Sequence, residues 1–176
     1  MGSTATLVSL EEYLNTTYEP DMEFVDGVLV RRNVGTQLHS LLQSITSGFL
    51  RQYRHSHRIT VFTECRLLVK RRYRISDVMV LQKPFQKGRV VTDVPAIVIE
   101  IKSPDDTFDE IVDKCFEYES LGVKNILVMD PDHRRVFLFE QGDLRHLPGP
   151  SVSLCLPDGA SLDFSFAEMF AELDEE

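Results

Sequence analysis

The run Pro95-Ala96-Ile97-Val98-Ile99-Glu100-Ile101-Lys102 is nearly continuous apolar and β-branched sequence, as expected of a strand covered on both faces. Ser103-Pro104 ends it. Over 108–120, Phe108, Ile111, Val112, Cys115 and Phe116 then fall on one side of a helix. Asn125-Ile126-Leu127-Val128-Met129-Asp130 is a second buried strand, closed by Pro131. Strand, helix and strand across residues 95–130 form a βαβ unit, which requires parallel strands and a helix packed on a sheet.

The flanking segments extend that sheet. Ser9-Leu10-Glu11-Glu12 fits a capping box opening a short helix over 10–15. Met22 to Val30 reads as a hairpin around Asp26-Gly27, because a type I′ turn needs positive φ at both central positions. Leu38, Leu41, Leu42, Ile45 and Phe49 recur at spacings of three and four and predict an amphipathic helix over 36–53. Strands are predicted at 58–62, 64–70 and 75–81, a hairpin at 135–146, a strand at 151–156 and a terminal helix at 165–173. The expected architecture is α/β: a mixed β-sheet flanked by helices on both faces, with an N-terminal β-hairpin. Residues 1–176 hold no repeat or linker and suit one domain.

With 43% apolar and 27% charged residues the composition is that of a globular protein and excludes a disordered one. No apolar run reaches the ~20 residues of a membrane helix, and from Met1-Gly2-Ser3-Thr4-Ala5, which carries no basic region and leads to no long apolar stretch, no secretory signal is expected. Cys65, Cys115 and Cys155 stand far apart and in odd number, arguing against a disulfide framework or a zinc cluster. The expected address is a reducing cytoplasm. The net charge of −9 hides an asymmetry. Residues 51–90 hold eleven basic side chains against Glu64 and Asp77, a local +9, and the remainder carries −18. Two uses of that window stay open: a face for a phosphate-bearing ligand, or an ordinary solvated strand-and-loop surface.

Glu100 and Lys102, two apart in a strand, project to the same face of a buried element. A buried charge needs a partner, a metal or solvent at the strand end. Asp77 is a second lone acid, inside the apolar pattern Ile75-Ser76-Asp77-Val78-Met79-Val80-Leu81. If the two strands are neighbours, Asp77 and Glu100 converge, and paired carboxylates raise one another's pKa unless a cation lies between them. Mg²⁺ suits such a pair, since it accepts one or two carboxylates and keeps several waters. A water beside Lys102 would then serve as nucleophile on a phosphodiester. The competing reading is a structural Glu–Lys pair at the strand tip.

This arrangement resembles the PD-(D/E)xK nuclease superfamily and, within it, the restriction-endonuclease family called Uma-two. The residues that carry the resemblance run in order from Ser9-Leu10-Glu11-Glu12-Tyr13-Leu14 through Glu23-Phe24-Val25-Asp26-Gly27, His39-Ser40, Glu64 and Ser76-Asp77-Val78. They continue with Ile97 to Pro104, Lys114, Tyr118, Gly122-Val123 and Asp130-Pro131. The resemblance implies a restriction-endonuclease-like α/β/α core and Asp77 and Glu100 as ligands of Mg²⁺ (or Mn²⁺ in its place). It implies Lys102 as the water-positioning group and the Ile101 carbonyl as a further ligand. Ser76 stands where such families carry a proline. Relatives without a lysine at the position of Lys102 use one from the following helix, which here is Lys114.

Lys114 has the competing role of pairing with Glu110 or Glu117 at helical spacing. Asp105, Asp106 and Asp109 read as helix-start residues. His39 is either a phosphate contact or orienting group, or an interfacial histidine. Glu64 is either an auxiliary site carboxylate or a partner of Arg66, and Glu23 is a third auxiliary candidate. Arg54, Arg58, Lys70, Arg71 and Arg72 are candidates for a nucleic-acid backbone, although such residues also blunt sheet edges. The expected function is a Mg²⁺-dependent DNA endonuclease acting as a homodimer or higher homo-oligomer, with no membrane partner. The alternative is a catalytically silent nuclease-fold protein that binds nucleic acid or serves as an oligomeric scaffold of a mobile-element or defence system.

Overall fold

A computed structural model of the chain describes residues 7–33 and 35–175; Met1–Ala5, read above for a signal, lie outside them. The elements in order are α1 (Leu10–Asn15), β1 (Met22–Val25), β2 (Val28–Arg31), α2 (Gln37–Arg51), β3 (Ile59–Val69), β4 (Arg72–Gln82) and β5 (Ile97–Ile101). Then come α3 (Phe108–Leu121), β6 (Asn125–Asp130), β7 (Arg135–Glu140), β8 (Asp143–His146), β9 (Val152–Cys155), β10 (Ser161–Phe164) and α4 (Phe166–Glu175). This is the expected mixed α/β sheet flanked by helices, with β1 and β2 as its N-terminal hairpin.

The sheet runs β2-β1-β4-β5-β6-β7-β8, with β3 also on β4. β5 and β6 pair in parallel, from Ile97↔Asn125 to Ile101↔Met129, so residues 95–130 do form the βαβ unit. α3 opens on a full capping box, with Thr107 accepting from the Glu110 amide and Glu110 accepting from the Thr107 amide, and ends at Gly122 in the left-handed region. Both faces of the sheet are covered. Leu42, Ile45 and Leu50 of α2 and Phe166, Met169, Phe170 and Leu173 of α4 pack with Val78, Val80, Ile97, Ile99 and Leu127. Ile111, Cys115 and Tyr118 of α3 pack with Met79, Leu81, Val98, Ile126 and Val128. Alternate residues of β4, β5 and β6 thus point to opposite helical layers, as a doubly covered sheet demands.

Two predicted boundaries change. The strands expected at 58–62 and 64–70 are one strand, β3, antiparallel to β4 from Ile59↔Gln82 to Val69↔Arg72. Glu64, with φ of 52°, interrupts that ladder without shifting its register. β4 also starts at Arg72 and not at 75, because Tyr73, Arg74 and Ile75 continue the pairing with β3. The unforeseen β10 follows the Asp158-Gly159 turn and packs Leu162 and Phe164 inward. Phe164 meets Phe49 edge-on at 5.9 Å. Phe164→Ala should therefore cost about 3–5 kcal/mol in denaturant unfolding, the usual loss for a buried aromatic; a loss under ~1 kcal/mol would mean that the β9–β10 hairpin adds little to the core.

Candidate active site

One edge of β4 is shared by two strands. β3 pairs along the other edge for the whole length of β4. On the shared edge β1 pairs at Tyr73 and β5 at Val78–Val80. Between them, from Arg74 to Asp77, no strand pairs along this edge among the described residues, and backbone groups must find other partners. The Glu23 carboxylate of β1 accepts from the Ile75 amide at 3.1 Å. The Asp77 carboxylate reaches across to accept from the Ile101 amide of β5 at 2.6 Å. Acidic side chains thus stand in for the missing strand, and the opening is a cleft of about 550 Å³ lined by β1, β2, α2, β3, β4, β5 and α3.

The registers align the acids. Extending the β4–β5 pairing by one residue past Val78↔Ile99 sets Asp77 opposite Glu100. The β3–β4 register places Glu64 opposite Asp77 on the other side. Three carboxylates therefore stand in a row across three neighbouring strands, where like charges repel. Asp77 and Glu100 are 2% and 5% exposed and Glu23 is 1% exposed, so water cannot neutralise them and nearby cations must.

Those cations come from four directions. Arg32, just after β2, donates to Asp77 Oδ1 at 2.6 Å and also to Glu64. His39 Nε2 of α2 lies 3.4 Å from Asp77 Oδ2. Gln43, one turn further along α2, donates to Glu64 Oε1 at 2.6 Å and to the Asp77 carbonyl at 2.9 Å. Arg74 donates to Glu23 at 2.8 Å and to both oxygens of Glu117. Lys114 Nζ of α3 lies 3.2 Å from Glu23 Oε1 and 3.6 Å from Glu100 Oε2. Tyr118, one turn on, donates to Glu100 Oε1 at 2.7 Å.

Titration follows these contacts. Burial raises the Asp77 carboxyl, but the hydrogen bond from His39, the charge of Arg32 and the Ile101 amide outweigh it and hold Asp77 below the usual range. His39 is raised, its burial outweighed by Asp77. Glu100 differs. Burial is the largest effect; Lys114 and Tyr118 oppose it only partly, the charges of Asp77 and Glu23 add to it, and the carboxyl is pushed up to about 7. Lys114 is raised because Glu100, Glu23 and Asp77 outweigh its own burial.

Asp77, Glu100, Lys114, Glu23, His39 and Glu64 all line the one cleft. Lys102 does not join them. Its Nζ donates to the Ser103 carbonyl at 3.1 Å and lies 5.9 Å from the centre of the Phe108 ring, because the strand ends at Ile101 and the chain turns away. The basic window does not form one face. Arg58 precedes β3 and Lys70-Arg71 form the opposite turn of the β3–β4 ribbon, about 40 Å away at 3.3 Å per residue. Arg54 is on the Arg58 side, in the turn that follows α2. Arg72 is bound to Asp26 and Glu117, and Arg66 lies 3.9 Å from Asp21 and over the Tyr13 ring. Asp106 accepts from the Ser103 amide at 2.7 Å, in keeping with its reading as a helix-start residue. Arg32, Gln43, Arg74 and Glu117 were not foreseen in the site. The four-residue spacing of His39 and Gln43 carried a usable signal for one of them.

The donor set suits a hard cation. Two convergent carboxylates beside a strand-end carbonyl, opening on a cleft, match an ion that keeps most of its waters. Among the described residues no three His, Cys, Asp or Glu side chains group as a ready-made metal site.

The family model described as Uma2, Putative restriction endonuclease, matches residues 10–165. The chain belongs to the Uma2 family. Within the solved structures it is similar to the crystal structure of a putative nuclease belonging to DUF820 from Anabaena variabilis ATCC 29413. The identity is 22%, the match covers 94% of this chain and 99% of that one, and the TM-score is 0.80; a likeness at that identity speaks for the fold. No curated protein matches significantly. Among the described residues no helix is long and apolar enough to cross a membrane.

Glu100 sets a pH signature in the metal-free protein. With its carboxyl near 7 when folded and near 4.5 when free, the folded chain holds a proton between those values that the unfolded chain has released. Stability therefore falls as pH rises through 4.5 to 7. Glu100→Gln, which keeps an acceptor for Tyr118, should be more stable than wild type at pH 8 by on the order of 1–3 kcal/mol and no more stable at pH 4.5. Melting in a chelator at the two pH values reads this, and an equal difference at both would contradict it.

Proposed function

We propose that this Uma2-family chain, acting as a single restriction-endonuclease-like domain, is a Mg²⁺- or Mn²⁺-dependent endonuclease that hydrolyses DNA phosphodiester bonds. The observation that carries the reading is the burial of Asp77 and Glu100 on paired strands at the mouth of one cleft, with Lys114 3.6 Å from Glu100. Asp77 and Glu100 would hold the cation together with the Ile101 carbonyl. A divalent cation bound there supplies Lewis acidity: it acidifies a water and offsets charge on the phosphate.

The remaining roles belong to the chain. Tyr118 holds one oxygen of Glu100 and leaves the other toward Lys114. Lys114 stays charged, since its acidic neighbours outweigh its burial. Water attacks phosphorus and gives up a proton to solvent, the bond to the leaving strand oxygen breaks and that oxygen takes up a proton from solvent, and the ammonium of Lys114 offsets the charge that grows on the phosphoryl oxygens. Glu23 fixes Lys114 from behind, as Arg74 fixes Glu23. His39 orients Asp77. Cutting both strands of a duplex needs two such clefts, and a homodimer supplies them.

A second reading, a catalytically silent nucleic-acid-binding scaffold, is favoured by one observation. Arg32, His39 and the Ile101 amide already occupy both oxygens of Asp77. Plasmid nicking and linearisation in millimolar Mg²⁺ or Mn²⁺ separates the two. The nuclease reading expects cleavage by wild type, none by Asp77→Asn or Glu100→Gln, and a loss of at least ~10²-fold for Lys114→Met. Lys102→Met should cost less than Lys114→Met. Asp77→Asn cutting as well as wild type would overturn the mechanism, and inert wild type would leave the scaffold.

A further inference from the structure

Beside the cleft, on the α3 side of the sheet, three aromatic rings stand in a row with two cations over them. Lys102 Nζ lies 5.9 Å from the Phe108 ring centre. Phe108, at the first turn of α3, meets Phe137 of β7 edge-on at 5.7 Å. Phe137 in turn has the Arg135 guanidinium at 5.7 Å and the His146 ring, paired across from it on β8, at 5.4 Å. Phe108 is 38% exposed, although it is a large apolar side chain, and His146 is exposed. Lys102 lies between Ile101 and Ser103, which line the cleft, so this row begins beside the cleft and leads to the β8 edge of the sheet.

We infer that the row Lys102–Phe108–Phe137–His146, flanked by Arg135, is a stacking track for an unpaired nucleic-acid strand entering or leaving the cleft. The inference rests on the nuclease reading for where the strand leads, and it names the substrate class of that site: DNA with a single-stranded segment. Aromatic faces bind bases of any sequence, but only bases freed from a duplex reach them. A duplex needs a continuous basic surface along its phosphates. Among the described residues the β3–β4 ribbon offers none, since its basic residues lie at opposite ends or are bound to acids. Asp130 takes one nitrogen of Arg135 at 3.1 Å, which leaves Lys102 as the cation for phosphate and the rings, His146 among them, as the main source of affinity.

The test is fluorescence anisotropy with a labelled mixed-sequence single-stranded oligonucleotide and the same sequence as a duplex. It is run in chelator, so that binding is read apart from cleavage. Wild type should bind the single strand more tightly than the duplex. Phe108→Ala should weaken single-strand binding at least ~10-fold, the scale of one lost base stack. Phe108→Trp should retain it, and His146→Glu should weaken it several-fold. Phe116→Ala, at the other exposed phenylalanine of α3, should leave it unchanged. Equal single-strand binding by wild type, Phe108→Ala and His146→Glu, or duplex binding as tight as single-strand binding, would overturn the track. Phe108-dependent binding without any cleavage by wild type would keep the track and discard the nuclease reading. Cleavage with Phe108-independent binding would do the reverse.

Discussion

Three carboxylates that cannot reach water, Asp77, Glu100 and Glu23, organise the cleft together with the exposed Glu64 at its rim. Glu64, Asp77 and Glu100 stand in register on three adjoining strands, and Glu23 joins them from β1. Burying such a set without compensation costs several kcal/mol per charge, and each neighbouring element brings a compensating group. The β1–β2 hairpin leads to Arg32, α2 carries His39 and Gln43, β4 itself carries Arg74, and α3 carries Lys114 and Tyr118. Compensation is complete around Asp77, which is held below the usual range. It is incomplete at Glu100, whose carboxyl rises to about 7. A site left short of positive charge at one of two facing carboxylates is one that a further cation would stabilise.

The opening in the sheet is what makes this chemistry accessible. Had β5 continued alongside β4 as far as Tyr73, backbone would have paired with backbone and the acids would have been sealed under α3. Instead β1 and β5 share one edge of β4 and part between Arg74 and Asp77. The gap exposes carboxylates on a rigid frame, and strands hold a functional group more accurately than loops do.

Much of this was legible in the chain. The period-two apolar runs of residues 95–102 and 125–130 around an amphipathic segment gave the βαβ unit, and Asp77 and Glu100 stood out because a lone acid in an apolar strand needs a reason. Lys102 rested on its spacing from Glu100 and on the family resemblance. Period two does set its face, but the strand ends one residue earlier and the side chain turns to Ser103 and Phe108. The basic window is distributed in a way its density could not show: local charge density says nothing about where a ribbon of eleven-residue strands carries its ends. Arg32 left no signal, since its role depends on how the hairpin is laid beside β4. β10 was too short to show beside its turn.

The most direct test of a cation site built on Asp77 and Glu100 is thermal melting of the chelator-treated protein as Mn²⁺ or Mg²⁺ is titrated in, with Asp77→Asn alongside. A ligand that binds only the folded state stabilises it by mass action, about 2.7 kcal/mol at a hundredfold excess over Kd. The account predicts that the Tm of wild type rises by several degrees and that of Asp77→Asn stays flat. A wild-type Tm that does not move, or an equal rise in both proteins, would contradict it.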